Sequence, residues 1–215
     1  MTFPHRRSDH SGIARGKAMG IRDLRGLTLV VAIMVVIDAL TTPVILLAAL
    51  LFPEGYTENV MPIASQVDLA TVLFKLLTFV VFGRWIYVAG RNLIEAGYHD
   101  LEFTPAARIW WFAVPVACLF KPFQGMRELW NASHGNGDYS EGSALVATWW
   151  ALWLLTTFAG YLSGYMAKSP DSGVTPFWIQ AVFDIPLAAV AILMIRRIAE
   201  AQARLGTGEL AEVFA

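Results

Sequence analysis

Charge is scarce in this chain. Only 15% of its 215 residues are Asp, Glu, Lys or Arg, while 56% are hydrophobic. A water-facing domain carries roughly 25% charged residues, so the composition excludes an ordinary soluble globule. The net charge is −1, which leaves no basic footprint for nucleic acid. A single cysteine, Cys118, excludes an intrachain disulfide and a cysteine-based metal cluster. The four histidines, His5, His10, His99 and His134, all lie outside the long apolar runs, which argues against a haem held between membrane helices. The chain also lacks HExxH, GxSxG and P-loop patterns.

What remains is apolar sequence in long runs. Four reach or approach the ~20 residues that cross a ~30 Å hydrocarbon layer as a helix. They extend from about Leu27 to Phe52, Leu69 to Val88, Ala144 to Met166 and Thr175 to Ile195. The first is too long for a signal-peptide core, and Pro53-Glu54-Gly55 offers no small-residue cleavage pattern. Asp38 near its centre costs about 3 kcal/mol on insertion scales, but sixteen Leu, Ile, Val and Phe residues in the run offset this by roughly 5–9 kcal/mol.

A fifth apolar run, Ile109 to Phe120, covers only ~18 Å as a helix and contains Pro115, which kinks it. After Pro122, helical spacing sets Lys121, Gln124, Glu128 and Asn131 on one side and Phe123, Met126 and Trp130 on the other. This amphipathic stretch fits the headgroup boundary or a packed position against the other helices. The expected fold is therefore all-α: a polytopic membrane bundle of four transmembrane helices plus a kinked re-entrant or interfacial helix, with five transmembrane helices as the alternative. The expected organisation is a basic cytoplasmic arm over 1–26, one helical membrane domain over 27–198 and a cytoplasmic tail over 199–215.

Charge placement orients the bundle. Arg6, Arg7, Arg15, Lys17, Arg22 and Arg25 precede the first span, whereas Pro53 to Asp68 contains no Lys or Arg. Arg84 and Arg91 close the second span, and Arg196, Arg197 and Arg204 follow the last. The positive-inside rule then puts both termini in the cytoplasm, and an even number of crossings favours four spans. The basic arm is first an orientation signal held at an acidic leaflet.

Charges inside the spans are the functional candidates, because burying them in lipid is costly. Asp38 and Asp184 each lie ~16 Å from the cytoplasmic ends of their helices, and Lys75 sits slightly farther out. Pro43 and Pro186 each free a backbone carbonyl beside an aspartate. These groups suit a proton or cation site, or an Asp–Lys bridge that fixes helix register. Arg84, Arg91, Glu95, Lys121, Gln124, Arg127 and Glu128 form a second candidate cluster at the cytoplasmic side. It suits a lipid phosphate or an ion-pair network in which Arg91 pairs with Glu95 one turn on.

Trp149, Trp150, Trp153, Phe177, Trp178, Trp110 and Trp111 read mainly as interfacial belts, and a cofactor or pigment pocket is the rarer reading. Gly160 and Gly164 form a GxxxG pattern that permits close helix approach. Ser133, His134 and Asp138 lie together in a Gly-rich stretch that reads as a turn between helices.

Arg84-Trp85-Ile86-Tyr87, Arg91-Asn92-Leu93 and Gly97 form one half of a signature. The other half comprises Glu102-Phe103-Thr104-Pro105, Trp111-Phe112, Val114-Pro115, Leu119-Phe120-Lys121-Pro122-Phe123-Gln124 and Met126-Arg127-Glu128-Leu129-Trp130, followed by Ser133 and Trp149-Trp150-Ala151-Leu152-Trp153. From about Leu69 to Ile195 the chain resembles the bacterial membrane family catalogued as domain of unknown function 4328. Val88 and Gly90 stand where a more basic or polar pair is expected. The resemblance implies a bacterial cytoplasmic (inner) membrane protein and supplies no activity.

Three functional classes remain at this point. The leading one is a helical scaffold or accessory subunit of a membrane complex. The others are a small proton- or cation-coupled transporter or channel using Asp38, Lys75 and Asp184, and a lipid-binding or lipid-modifying protein using the Arg91–Arg127 region. The lipid bilayer is the expected partner, with other membrane subunits or a second copy of the chain left open. The sequence names no cofactor and contains no catalytic pattern. The topology is testable: a C-terminal reporter active only outside the cytoplasm should stay silent, and a signal from it would overturn the four-span orientation.

Overall fold

The computed structural model describes residues 20–166, 168 and 175–207, and among them every regular element is helical. Helix α1 (Arg25–Leu51) leads into a short helix α2 (Pro53–Asn59) and a 3-10 turn (Met61–Ile63). Helix α3 follows (Ala64–Glu95), then α4 (Ala107–Trp110), α5 (Lys121–Ser133), α6 (Ala144–Met166) and α7 (Thr175–Thr207). Four helices are long and apolar enough to cross a membrane. Arg6, Arg7, Arg15 and Lys17 of the basic arm lie outside the described residues.

The long helices are apolar around most of their circumference because lipid, not water, covers their outer faces. In α1, burial is confined to one stripe, Thr28, Val31, Ala39, Pro43 and Leu46. Leu29, Ile33, Leu40, Val44 and Leu47 are exposed. Helix α3 is about 48 Å long at the standard rise and buries residues almost wholly in its second half, Gly83 to Leu93. There Trp85 is fully enclosed and its indole donates to Thr28 Oγ1 at 2.8 Å. Helix α7 packs against α1, α3, α5 and α6.

The core gathers at the end of the bundle that carries Arg25, Arg91 and Arg196, called here the basic end. Leu24, Trp85, Leu93, Met126, Leu129, Trp149, Ile195 and Ile198 belong to one buried cluster. A polar network crosses it. Asn92 donates to Gln202 Oε1 (3.0 Å) and to the Arg22 carbonyl (2.9 Å), and accepts from the Arg22 N–H. Gln202 in turn donates to Ser133 Oγ and the Ala89 carbonyl. Buried amides need such partners, and here their pairing fastens α3, α5 and α7 to the segment entering α1. Arg22, Leu24 and Gln202 are therefore part of the packed bundle, although the first two fall within the expected arm and the last within the expected tail.

The segment from Ile109 to Phe120 is not a span. It is broken into α4, a 3-10 turn (Trp111–Ala113), an extended residue at Val114 and a second 3-10 turn (Ala117–Leu119). Pro115 cannot continue a helix, and Val116 follows with φ 65°. Trp110, Val116 and Leu119 are exposed, as an interfacial segment requires. Helix α5 buries residues from both expected sides: Glu128 and Asn131 are enclosed along with Met126 and Leu129.

Gly90 packs where a side chain would not fit. An added Cβ would stand 2.7 Å from an Arg108 guanidinium nitrogen and 3.3 Å from the Pro105 Cα. This explains why position 90 is neither basic nor polar, and Val88 beside it is buried. Gly90→Ala should lower unfolding stability in detergent by about 1–3 kcal/mol through overpacking. Gly55→Ala, where a Cβ meets nothing within 4 Å, should leave it unchanged or slightly raised.

Candidate functional site

The four long helices leave a cavity of about 390 Å³ on the far side of the core from the basic end. Helix α1 contributes Asp38, α3 contributes Lys75 and Thr78, α6 contributes Thr156 and Thr157, and α7 contributes Gln180 and Asp184. The three intramembrane charges expected from depth alone thus share one cavity. Lys75 Nζ lies 3.6 Å from Asp38 Oδ2, with the lysine side chain half exposed. Asp38 Oδ1 is buried without a hydrogen-bond partner. Asp184 is buried, within electrostatic range of Lys75 and Asp38, and Gln180 turns toward its carboxyl. Thr156 faces the same carboxyl, but its buried hydroxyl makes no hydrogen bond of good geometry. Helices α1 and α7 run unbroken through Pro43 and Pro186.

Aromatic side chains form the remaining wall. Phe79, Phe82, Phe112, Trp149 and Trp153 line the cavity. Phe112 meets the Phe79 and Trp153 rings edge-on at centroid distances of 5.6 and 5.8 Å. Trp150 stacks on Trp153 at 4.6 Å, and its indole donates to the Leu119 carbonyl. Trp149 and Trp150 are therefore buried packing residues rather than an interfacial belt. Sequence cannot separate these roles, because both environments favour large rings with one polar atom.

The second expected cluster separates into distinct contacts. Arg91 and Glu95 form their i,i+4 pair at 2.8 Å on an exposed face, and Arg84 is exposed. Lys121 pairs with Glu102 and sits over the Phe103 ring. Arg127 lies over Phe123, and Gln124 is half-buried beside it on α5. Glu128 is committed elsewhere: it pairs with Arg108, both side chains buried, and accepts from the Glu102 and Phe103 N–H groups. Arg108 Nε also donates to the Gly125 carbonyl. Burial pulls the Arg108 guanidinium below its usual range, while Glu128 acts in the opposite direction.

Sequence reasoning missed Arg108 because a lone arginine before an aromatic run reads as a flanking charge. The signal was Gly90 and Gly125, both of which leave room for its side chain. Ser133, His134 and Asp138 do not combine. Ser133 accepts from Gln202, His134 Nδ1 bonds to the Trp130 carbonyl, and Asp138 accepts from Ser140. Of the GxxxG pair, Gly160 faces Gln180 at ordinary contact distance, and Gly164 meets nothing within 4 Å among the described residues.

Phe103, Pro105 and Glu128 of the signature thus meet Arg108 and Gly125 in one buried clamp. Domain of unknown function (DUF4328) matches residues 62–200. The chain belongs to the DUF4328 family. The matched region spans α3, the clamp, α6 and most of α7, so it includes Lys75 and Asp184 but not Asp38. No curated protein and no solved structure matches the chain.

In this DUF4328 member the clamp is open to a stability test. Glu128→Gln should cost about 3–5 kcal/mol, because it leaves a buried guanidinium uncompensated. Replacing both partners, Arg108→Met with Glu128→Met, should cost less than the sum of the single changes in detergent unfolding. Additive losses would show that the two groups are not coupled.

Proposed function

We propose that this multi-pass membrane protein binds a small organic ammonium ion in the α1–α3–α6–α7 cavity, as the binding step of a cation transporter. The observation that carries the reading is one cavity with two carboxylates, one ammonium and five aromatic residues. With all three charges ionised the site has one negative charge in excess. Such a charge in lipid is retained where it meets a partner or a substrate. A volume of about 390 Å³ falls at the small end of ligand cavities and far exceeds a bare ion. The described residues contain no group of three or more His, Cys, Asp or Glu able to hold a metal. Aromatic faces attract ammonium groups, and the carboxylates supply the counter-charge.

Lys75 then acts as a tethered competitor. Its ammonium neutralises Asp38 in the empty site and moves aside when a free amine enters, for which its half-exposed side chain has room. The bundle would place its basic end in the cytoplasm of a bacterial inner membrane, following the arginine distribution. The scaffold reading ranks second, because lipid contact alone accounts for the exposed apolar faces of α1 and α3.

The test uses purified protein in detergent with a series from methylammonium to tetramethylammonium. At least one amine should raise the unfolding temperature saturably. Asp184→Asn should abolish that rise while keeping its own unliganded Tm, and Lys75→Met should tighten binding. No response to any amine, or an equal response in Asp184→Asn, would sink the proposal. Amine flux into liposomes then separates transport from binding alone.

A further inference from the structure

A second, larger hollow lies between α1 and α7 on the outside of the bundle, with a volume of about 1030 Å³. It shares none of the three charges of the polar cavity. Its floor is apolar, formed by Leu29, Ile33 and Ile37 of α1 with Ile192 of α7. Its mouth is basic: Arg25, Arg196 and Arg204 converge there, opposed by the single carboxylate of Glu200. Arg25 and Arg196 are exposed, and no ion pair joins either of them to an acid among the described residues.

The dimensions match one leaflet. From Arg25 to Ile37 the α1 face descends ~18 Å at the helical rise, slightly more than half of a ~30 Å hydrocarbon layer. A groove that is cationic at the headgroup level and apolar to mid-bilayer is complementary to one occupant, a phospholipid with an anionic headgroup. Guanidinium forks bind a phosphate through paired hydrogen bonds, and the floor residues accept the acyl chains. A helix from a second copy would fill the apolar floor but would offer no anion to Arg25 and Arg196.

We infer that the α1–α7 groove is a binding site for an anionic phospholipid, with Arg25 and Arg196 holding the phosphate. The groove shares no lining residue with the polar cavity, so it can be occupied whether or not that cavity holds a ligand.

The experiment reconstitutes the full chain in nanodiscs of mixed phosphatidylglycerol and phosphatidylcholine. Lipid retained after detergent extraction is then quantified by native mass spectrometry. Phosphatidylglycerol should be enriched over phosphatidylcholine. The double variant Arg25→Ala with Arg196→Ala should reduce that enrichment by roughly thirtyfold, as expected for two surface cations. Ile33→Trp, which fills the floor and keeps every charge, should also displace the lipid, whereas inorganic phosphate should not. The inference falls if wild-type protein shows no headgroup preference, or if the double variant retains it. It also falls if inorganic phosphate competes fully, which would mark a headgroup-only site. Cross-linking of two copies in the membrane through Ile33→Cys and Ile192→Cys would show the groove occupied by protein and would likewise overturn it.

Discussion

The Arg108–Glu128 pair is the interaction on which the arrangement of the bundle depends. The chain from Gly97 to Phe120 is largely irregular, and irregular backbone next to a membrane must find its hydrogen bonds inside the protein. Glu128 answers two of those N–H groups, at Glu102 and Phe103, and takes the Arg108 guanidinium with its remaining capacity. The guanidinium in turn reaches the Gly125 carbonyl. One carboxylate therefore ties the connecting segment to α5 and, through the space left by Gly90, to α3. Removing water from both charges is expensive, and these bonds offset part of it while Arg108 Nη1 stays buried without a hydrogen-bond partner.

The clamp sits in the tighter half of the molecule. Around it the Asn92–Gln202–Ser133 network and the Trp85–Thr28 bond fasten the long helices together. Beyond the core the helices expose more of their surface and enclose the polar cavity. One end holds the helices in register, and the other leaves Asp38 Oδ1 and the Thr156 hydroxyl buried without a hydrogen-bond partner.

The DUF4328 signature maps mainly onto the rigid half. Phe103, Pro105 and Glu128 shape the clamp, and Asn92 anchors the polar network. Chemistry-bearing residues of the cavity are distributed differently, since Asp38 lies ahead of the matched region. The motif that makes the chain recognisable is thus chiefly a device for folding. The charges that interrupt the spans are a separate feature, gathered in the polar cavity.

Sequence alone determined the four spans, because crossing hydrocarbon sets a minimum apolar length that few other structures demand. It also brought Asp38, Lys75 and Asp184 together as one expected group, since a fixed rise per residue converts chain position into distance along a helix, and the three line one cavity. It could not determine partners. Glu128 and Asn131 look like a wet helix face by spacing, yet they point inward because Arg108 and the carbonyls of Tyr139 and Glu141 await them there. Trp149 and Trp150 look interfacial by composition, yet both are buried, and Trp149 walls the cavity. Such pairings join residues far apart in the chain, and helical periodicity carries no information about which face meets which neighbour. The short apolar run after Arg108 and its Pro115 already disfavoured a crossing; only the tertiary structure decided how the broken run is held, because the Arg108–Glu128 clamp joins residues that spacing does not pair.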